Sequence, residues 1–321
     1  MDISLTIENP QKNKVYEPVV EEGIKWTTGR EGTPGQLEFS VIKDNIIDFQ
    51  EGNRVEFRVD GKPVFLGFVF KKSRSKDGLI SVTAYDQLRY FKNKDTYQYE
   101  NKTASWLLKR IAKDFSLFTG DVDDTGYIIA SRVEDNTTLF DMMKNALEVT
   151  MQNTKKMYVL YDDFGKLALK NIGNMKVPVK IEEQTAQDFN YETSIDSQTY
   201  NKVKLLYQDS STHEMKIFPK QCDESIKRWG VLQYFDKIND ISNGQNVADM
   251  ILELYNNKTR SISVSGVFGD LRVRAGSQVP VFLNFGDILT NNWLIVEKCT
   301  HTFKQSEHTM DLELSGGEYL A

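Results

Sequence analysis

The sequence predicts a mainly β protein with two small β-barrel domains, an α+β domain between them and a helical insertion in the second barrel. Three observations predict this fold class. Short apolar runs alternate with polar residues over the first 90 positions, apolar residues recur at helical spacing between about 103 and 147, and strand-like runs return from about 186. At 321 residues the chain is long enough for about two to three domains.

Residues 1–90 form the first predicted barrel. Apolar and polar residues alternate in the runs 37–41 and 55–59, which is the pattern of strands with one buried face. Asp60 and Gly61 follow the second run directly, so we predict a type I′ hairpin turn in which glycine takes a positive φ. A second pair, Asp77 and Gly78, predicts a similar turn before a strand at 79–84.

Residues 91–185 form the predicted α+β domain. Thr103 is a suitable N-cap for a helix whose apolar face includes residues 107, 108, 111 and 115. Thr138 with Asp141 resembles a capping box, and apolar residues between 139 and 147 form the face of a second helix. The runs 157–161 and 167–169 predict a hairpin on which both helices pack.

Residues 186–321 form the second predicted barrel. Strand-like runs lie at 203–207, 262–267, 279–285, 293–296 and 310–314. The helical insertion lies near 242–257, where Ser242 and Gln245 fit a capping box and Asn256 and Asn257 end the apolar stripe.

Composition and charge exclude several classes of function. The 40 basic and 46 acidic residues give a net charge of −6, which predicts no stable nucleic-acid binding. The first ten residues have no basic start or long apolar run, and the most apolar stretch, 63–70, is too short to span a bilayer, so we expect synthesis in the cytoplasm and no membrane insertion. Cys222 and Cys299 are too sparse for a disulfide framework, and we expect both to be free thiols.

No residue pattern predicts catalysis, a metal site or a cofactor. Cys299, His301 and His308 lie close in sequence, but their spacing matches no zinc or peptidase motif. The acidic segment 121–126 resembles the start of a calcium loop, yet Arg132 stands where the final glutamate is required. Large aromatic residues in strands and helices are usually core residues, so we expect all four tryptophans to serve packing: Trp26, Trp106, Trp229 and Trp293.

Nine short segments, taken in order, resemble the XkdQ/YqbQ family of phage-tail proteins. No single segment is specific, but their order and spacing extend over nearly the whole chain. They are residues 52–55, 60–67, 84–91, 101–104, 124–127, 200–203, 273–277, 301–303 and 308–310. The resemblance implies a structural role for these motif residues: Asp60, Gly61, Asp86, Arg89, Tyr90, Tyr200, Asn201, Gly276, His301 and His308.

The resemblance also implies a function. Members of this family resemble the hub proteins of contractile tails, in which three chains form a short cylinder and each chain contributes two similar barrels. Such a homotrimer would join the sixfold tail tube to the threefold spike. The implied partners are a second and third copy of the chain, the tail tube protein, the spike protein, a LysM-containing baseplate protein and the C-terminus of the tape-measure protein. The implied location is the tail or baseplate of a virion.

Two other functions remain open. A receptor- or glycan-binding tail module would use exposed aromatic residues and need no catalytic group. A cell-wall hydrolase would need a separable domain with a credible acid/base or Cys/His arrangement, which the sequence lacks. The sequence does not distinguish a phage from a defective prophage or a bacteriocin.

Overall fold

The computed structural model describes residues 1–44, 46–76, 78–196, 198–209, 214–238, 241, 243–284, 289–304 and 307–316, with the backbone alone at 289–291. The protein is mainly β, as predicted. Within the described residues, no helix is both long enough and apolar enough to cross a membrane.

The N-terminal part is antiparallel sheet. Its strands are β1 (Ile3–Asn9), β2 (Lys14–Tyr16), β3 (Ile24–Gly29), β4 (Gln36–Ile42), β5 (Arg54–Val59), β6 (Lys62–Arg74) and β7 (Leu79–Tyr85). The predicted turn after β5 is confirmed, because Val59 pairs with Lys62 and both residues between them have positive φ, 49° at Asp60 and 71° at Gly61. The second predicted turn includes Asp77, which lies outside the described residues.

The middle part combines short sheets with two helices. Its elements are β8 (Lys94–Lys102), α1 (Ala104–Asp114), β9 (Thr119–Val122), β10 (Ile129–Thr138), α2 (Leu139–Thr154), β11 (Tyr158–Asp162) and β12 (Leu167–Asn171). Both predicted caps are confirmed, since the hydroxyls of Thr103 and Thr138 accept hydrogen bonds from the backbone N–H groups of Trp106 and Asp141. The predicted hairpin is the antiparallel pair β11–β12.

The C-terminal part contains both sheet and a separate insertion. Its elements are β13 (Ile181–Glu182), β14 (Asp188–Ser194), β15 (Lys202–Gln208), β16 (Met215–Gln221), α3 (Asp223–Trp229), β17 (Gln233–Ile238), α4 (Gly244–Tyr255), β18 (Thr259–Phe268), β19 (Gln278–Asn284), β20 (Leu289–Lys304) and β21 (Glu307–Ser315).

The insertion differs from its prediction in extent and in its helix start. The run 203–207 was expected in the second barrel, but it is β15 of a separate sheet, β16-β15-β17, whose apolar face packs on α4. The run 203–207 forms a sheet of its own because its pairing partners, β16 and β17, follow it closely in sequence. The N-cap of α4 is Asn243, whose side chain accepts from the side-chain amide of Asn246 (2.7 Å) and makes no capping bond to the helix backbone. Ser242 of the predicted capping box lies outside the described residues. The helix ends at Asn256, as predicted.

One continuous sheet joins the N-terminal and C-terminal parts. Its strand order is β14-β18-β21-β20-β3-β4-β7-β6-β5-β1-β2, and β19 branches from β20 and pairs on its other side with β13. The joint is the antiparallel pairing of β20 with β3, from Lys298–Gly29 to Phe303–Ile24. Separate apolar cores lie under the N-terminal strands and under the C-terminal strands, and a third surrounds α1 and α2.

Candidate functional site

The loop between β18 and β19 holds the N-terminal, middle and C-terminal parts together. The backbone N–H of Ala275 donates to the hydroxyl of Thr28 (3.0 Å), beside the β3–β20 joint. The guanidinium of Arg274 donates to the carbonyl of Asp162 at the end of β11 (3.0 Å). Because these contacts bridge residues more than a hundred positions apart, we treat this junction as the candidate site.

Gly276 allows the loop to approach the middle part closely. Its φ is +90°, and an added Cβ atom would lie 2.5 Å from Cγ1 of Val159 on β11. A residue with a side chain is therefore disfavoured both by backbone conformation and by contact. Its N–H donates to the carbonyl of Val296 (2.8 Å), which fixes the loop to β20.

The guanidinium of Arg274 occupies the centre of the junction. It lies 3.8 Å from the ring centroid of Tyr161 and 5.9 Å from that of Trp26. Although the residue as a whole is half-buried, its Nε atom is inaccessible to solvent and has no hydrogen-bond partner within the described residues. Burial lowers the pKa of this guanidinium, while the carboxylates of Asp86 and Asp162 act in the opposite direction.

Two buried carboxylates, Asp86 and Asp162, face this guanidinium. Asp86 caps the 3-10 turn Gln87–Lys92 and accepts from the N–H groups of Leu88 (3.0 Å) and Gly35 (2.8 Å). Asp162 accepts from the side-chain amide of Gln87 (2.8 Å). Burial raises the pKa of both carboxyls, and the neighbouring charge of Asp162 raises that of Asp86 further. The junction thus holds two carboxyls that resist ionisation against one cation.

Beside Trp26 lie two hydrogen-bonded histidines, His301 and His308. The His301 ring stacks on Trp26 with centroids 4.8 Å apart. Its Nε2 lies 2.9 Å from the carbonyl of Val273 and must donate, because a carbonyl only accepts. Nδ1 is then the acceptor for the Nε2–H of His308, 2.8 Å away. Burial lowers the pKa of His301 to about 3, so the ring is neutral.

This arrangement disfavours nucleophilic or metal chemistry at Cys299. Its Sγ lies 3.2 Å from Nε2 of His301, but that nitrogen carries a proton and has no lone pair to accept one from the thiol. Burial also raises the thiol pKa, which disfavours the reactive thiolate. The two nitrogens of His301 contact different protein groups, and the described residues contain no cluster of three or more metal-ligating side chains.

The chain matches proteins of known family over most of its length. A family model described as YQBQ-like matches residues 24–315. The chain belongs to the YQBQ-like family. "Uncharacterized protein YqbQ" of Bacillus subtilis (strain 168) is 32% identical over 319 residues, and the match covers 94% of each chain. "Phage-like element PBSX protein XkdQ" of the same strain is 28% identical over 318 residues, with the same coverage.

Solved structures share the fold of this YQBQ-like protein. The 43 kDa tail protein of prophage MuSo2 from Shewanella oneidensis has a TM-score of 0.73 at 14% identity, and the match covers both chains completely. The E. coli c3393 protein, a component of the type VI secretion system with structural similarity to the T4 tail proteins gp27 and gp5, has a TM-score of 0.57 at 9% identity, covering 98% of this chain and 77% of that one. The fold is therefore that of phage-tail proteins.

Four of the predicted motif residues of this YQBQ-like chain meet at or beside the junction: Asp86, Gly276, His301 and His308. Other motif residues lie elsewhere. Asp60 accepts from the N–H of Asp2 (2.7 Å) in the turn that includes Gly61. Arg89 and Tyr90 both lie against the ring of Phe70.

The two motif residues at the base of the insertion are Tyr200 and Asn201. Tyr200 packs edge-on against Tyr234 and Tyr255. Asn201 is fully buried, and its side chain donates to the carbonyl of Gly230 (2.7 Å) and accepts from the N–H of Leu232 (2.8 Å). These bonds hold the chain segment that connects α3 to β17.

Sequence reasoning missed the residues that hold the junction together. Arg274 lies inside the family segment 273–277, and Asp162 lies between the two runs of the predicted hairpin, but the sequence predicts no specific role for either residue. Trp26 is a core residue, as predicted, but it also stacks on His301. The prediction for Trp106 was wrong in part, since 36% of it is exposed beside Lys102. The face of α1 that carries Trp106 is exposed to solvent.

The acidic segment 121–126 binds protein groups. Lys170 forms salt bridges with Asp121 and Asp123, and Asp123 also accepts from the N–H of Asn171 (2.9 Å). Asp124 accepts from the N–H of Gly126 (3.1 Å). The carboxylates of Asp121, Asp123 and Asp124 are therefore already engaged by protein donors.

Proposed function

We propose that this YQBQ-like protein is the baseplate hub of a contractile phage tail or phage-tail-like particle, made in the bacterial cytoplasm and assembled into the virion tail. In this role a homotrimer joins the sixfold tail tube to the threefold spike. The similarity of the whole chain to a prophage tail protein supports the tail assignment, and the likeness to a type VI component with gp27-like structure supports a place next to a spike.

The observation that carries the proposal is one continuous sheet with two cores on one side and a hydrophilic face on the other. On that face most side chains are small or polar along strands of both parts, although Ile42 and Phe268 are exposed there near strand ends. We call the polar part of this face the polar sheet face. It consists of Lys25, Thr27, Gln36, Glu38, Ser40, Ser81, Thr83, Asp188, Asn190, Glu192, Ser261, Ser263, Ser265, Thr300, Thr302, Asp311 and Glu313.

The polar sheet face has the chemistry of a channel wall. Hydroxyls pair across adjacent strands, as between Thr27 and Thr300 (3.2 Å), which links the two halves of the sheet. Alternate residues point into the cores, so these positions present no large apolar side chain to a passing chain or nucleic acid. Such a surface stays hydrated and gives cargo little to adhere to. The acidic balance of the chain acts in the same direction for DNA.

The two cores of each chain would allow a trimer to match a sixfold partner. One core lies under the N-terminal strands and another under the C-terminal strands of the same sheet. A trimer of such chains presents about six related surfaces to a sixfold tube ring and three chain positions to a spike. The proposed partners are the tube protein at one end, the spike protein at the other, and a LysM-containing baseplate protein and the tape-measure C-terminus nearby.

The test is an electron-microscopic structure of the assembled tail, combined with quantitative mass spectrometry of this protein against the tube protein. We expect three copies per tail at the junction of tube and spike, with the polar sheet face toward the axis. Six copies, or a peripheral position on a fibre, would contradict the proposal, and the peripheral position would favour a receptor- or glycan-binding module. Peptidoglycan cleavage by the purified protein would favour a hydrolase.

A further inference from the structure

A cleft with a volume of about 1010 Å³ lies where the middle part, the insertion and the C-terminal part meet. α2 forms one wall with Leu147, Glu148 and Met151, and the other walls include the base of the insertion and residues of β14, β18 and β20. Ligand-binding clefts have volumes of about 300–1,000 Å³, so this cleft has room for a peptide segment of several residues. We call it the α2 cleft.

Three tyrosine rings line the insertion side of the α2 cleft. Tyr200 packs edge-on against Tyr234 and Tyr255, with ring centroids 5.3 and 5.8 Å away. The rings of Tyr234 and Tyr255 are nearly parallel, with 7° between their planes and 6.4 Å between their centroids. All three residues line the cleft and are only partly buried. The face of a tyrosine ring attracts cations, arginine more often than lysine.

Glu148 places a carboxylate without a partner in the α2 cleft. The residue is partly buried, and within the described part of the chain its side chain forms no hydrogen bond or ion pair. Burial raises the pKa of this carboxyl, Lys144 on the same helix acts in the opposite direction, and the charges of Asp236 and Glu31 raise the pKa further. A cation placed beside Glu148 would therefore relieve both the burial of the charge and its repulsion by two like charges.

The basic side chains that line the α2 cleft do not supply this cation. Arg30 is held by Glu297 (2.6 Å) and by Glu31 (2.6 Å). The Nζ of Lys144 lies 3.7 Å from the same Glu31. Among the described residues of the cleft, no basic side chain forms an ion pair with Glu148. The cleft thus presents a carboxylate and ring faces that a cation from outside the chain could occupy.

We propose that the α2 cleft binds an arginine side chain on a segment of another tail protein, with the guanidinium paired to Glu148 and stacked on the tyrosine rings. The source of the segment rests on the proposed function, whereas the binding chemistry does not. Arginine fits better than lysine, because its planar guanidinium can stack on a ring and donate two hydrogen bonds to one carboxylate. The chain already uses this chemistry at its junction, where the guanidinium of Arg274 lies 3.8 Å from the ring centroid of Tyr161.

NMR of the full chain with labelled methionine methyl groups tests the site in solution. The probe is the peptide acetyl-Ala-Ala-Arg-Ala-Ala-amide, and its matched control carries citrulline, which has nearly the shape of arginine without the charge. We expect the arginine peptide to shift the signals of Met143 and Met151, which line the cleft, and to leave that of Met215, exposed outside it, unchanged. The citrulline peptide should bind about tenfold more weakly, because hydrogen bonds between charged groups are the stronger ones.

Variants assign the binding to the carboxylate and the rings. Glu148→Gln should weaken binding of the arginine peptide about tenfold and leave the citrulline peptide unaffected. Glu253→Gln is the matched control, because this exposed carboxylate pairs with Lys155 at the end of α2 but does not line the cleft. Tyr255→Leu should also weaken binding, whereas Tyr255→Phe, which keeps the ring face, should not. Equal affinity for the two peptides, or equal effects of Glu148→Gln and Glu253→Gln, would refute the site.

Photo-crosslinking in assembled particles identifies the partner. Benzoylphenylalanine is placed at residue 147 in the cleft and, as the control, at residue 141, which is exposed on the same helix and does not line the cleft. We expect residue 147 alone to cross-link to another tail protein, at a peptide that contains arginine, and Glu148→Gln to lower the yield several-fold. Cross-links formed only within this chain would mean that the chain fills its own cleft, and the proposal would fail.

The two proposals fail in different ways. If the arginine peptide does not bind but three copies lie between tube and spike, the site fails and the proposed function stands. If the peptide binds with the expected dependence on Glu148 but the copies lie elsewhere in the particle, the site stands and the hub role fails.

Discussion

Replacing Arg274 with methionine should destabilise the protein in a pH-dependent way. Methionine keeps much of the side-chain volume against Tyr161 but removes the charge that faces the two buried carboxyls. Removing one partner of a buried charge cluster costs about 3–5 kcal/mol when the remaining charges must stay ionised. Here they need not stay ionised, because burial already raises the pKa of Asp162 from 3.8 to about 6.

The sign of the pH effect follows from proton linkage. A carboxyl whose pKa is raised on folding binds more protons in the folded state, so stability falls as pH rises from the unfolded pKa, near 4, through the folded pKa. Without the guanidinium, the folded pKa values of Asp86 and Asp162 rise further and this interval extends past pH 6. For each carboxyl that is ionised in the wild type but stays protonated in the variant between about pH 6 and pH 8, the penalty grows by about 1.4 kcal/mol per pH unit.

Urea unfolding followed by tryptophan fluorescence at about pH 6 and pH 8 measures this difference, and both values lie above the sequence pI of 5.3. The matched control is Arg272→Met in the same loop, which removes an exposed salt bridge to Asp270 and should cost about 0–1 kcal/mol. Its effect should not change between these values, since Arg272 keeps the pKa of Asp270 below 3.8. Equal penalties for Arg274→Met at both values, or a penalty no larger than the control's, would refute the reasoning.

Two substitutions and one mass measurement further test the junction and its chemistry. Gly276→Ala should destabilise the protein by about 1–3 kcal/mol, because the new methyl group meets Val159 at a positive φ; an unchanged urea midpoint would contradict this. His301→Ala should cost about 2–4 kcal/mol through the cavity and lost hydrogen bonds without abolishing any hydrolysis, and peptidoglycan cleavage by the wild type that the change removes would overturn the structural role. Intact mass under non-reducing conditions should show Cys222 and Cys299 as thiols, whereas a two-dalton loss would indicate a disulfide.

Local patterns predicted the elements whose own sequence determines them. The Asp60–Gly61 turn, the caps at Thr103 and Thr138 and the hairpin after α2 all depend on a few neighbouring residues, and the structure confirms them. The sequence patterns did not predict strands that bury little surface. β8 (Lys94–Lys102) buries one residue of nine, so it shows almost no apolar alternation.

Long-range pairing set the rest of the fold and most of the candidate site. β3 pairs with β20, about 270 positions later, and no periodicity within either strand specifies that partner. The enclosure of Arg274 depends on the same pairing, because it places Trp26 beside the loop while β11 supplies Tyr161. From sequence alone, an arginine in a loop is expected to be solvated. Only the folded chain places the rings of Trp26 and Tyr161 beside it.

The shared strand β20 gives the chain the rigidity that the proposed hub role requires. Its first half pairs with β19, and its second half, from Lys298, pairs with β3. Cys299 faces the C-terminal core, and Phe303, four residues later, contributes to the N-terminal core. Separating the halves would break the backbone bonds of the β3–β20 pair and expose Phe303 to water, so the two halves move as one body. The proposed hub needs this property, because relative motion of its halves would disturb the surfaces that it would present to tube and spike.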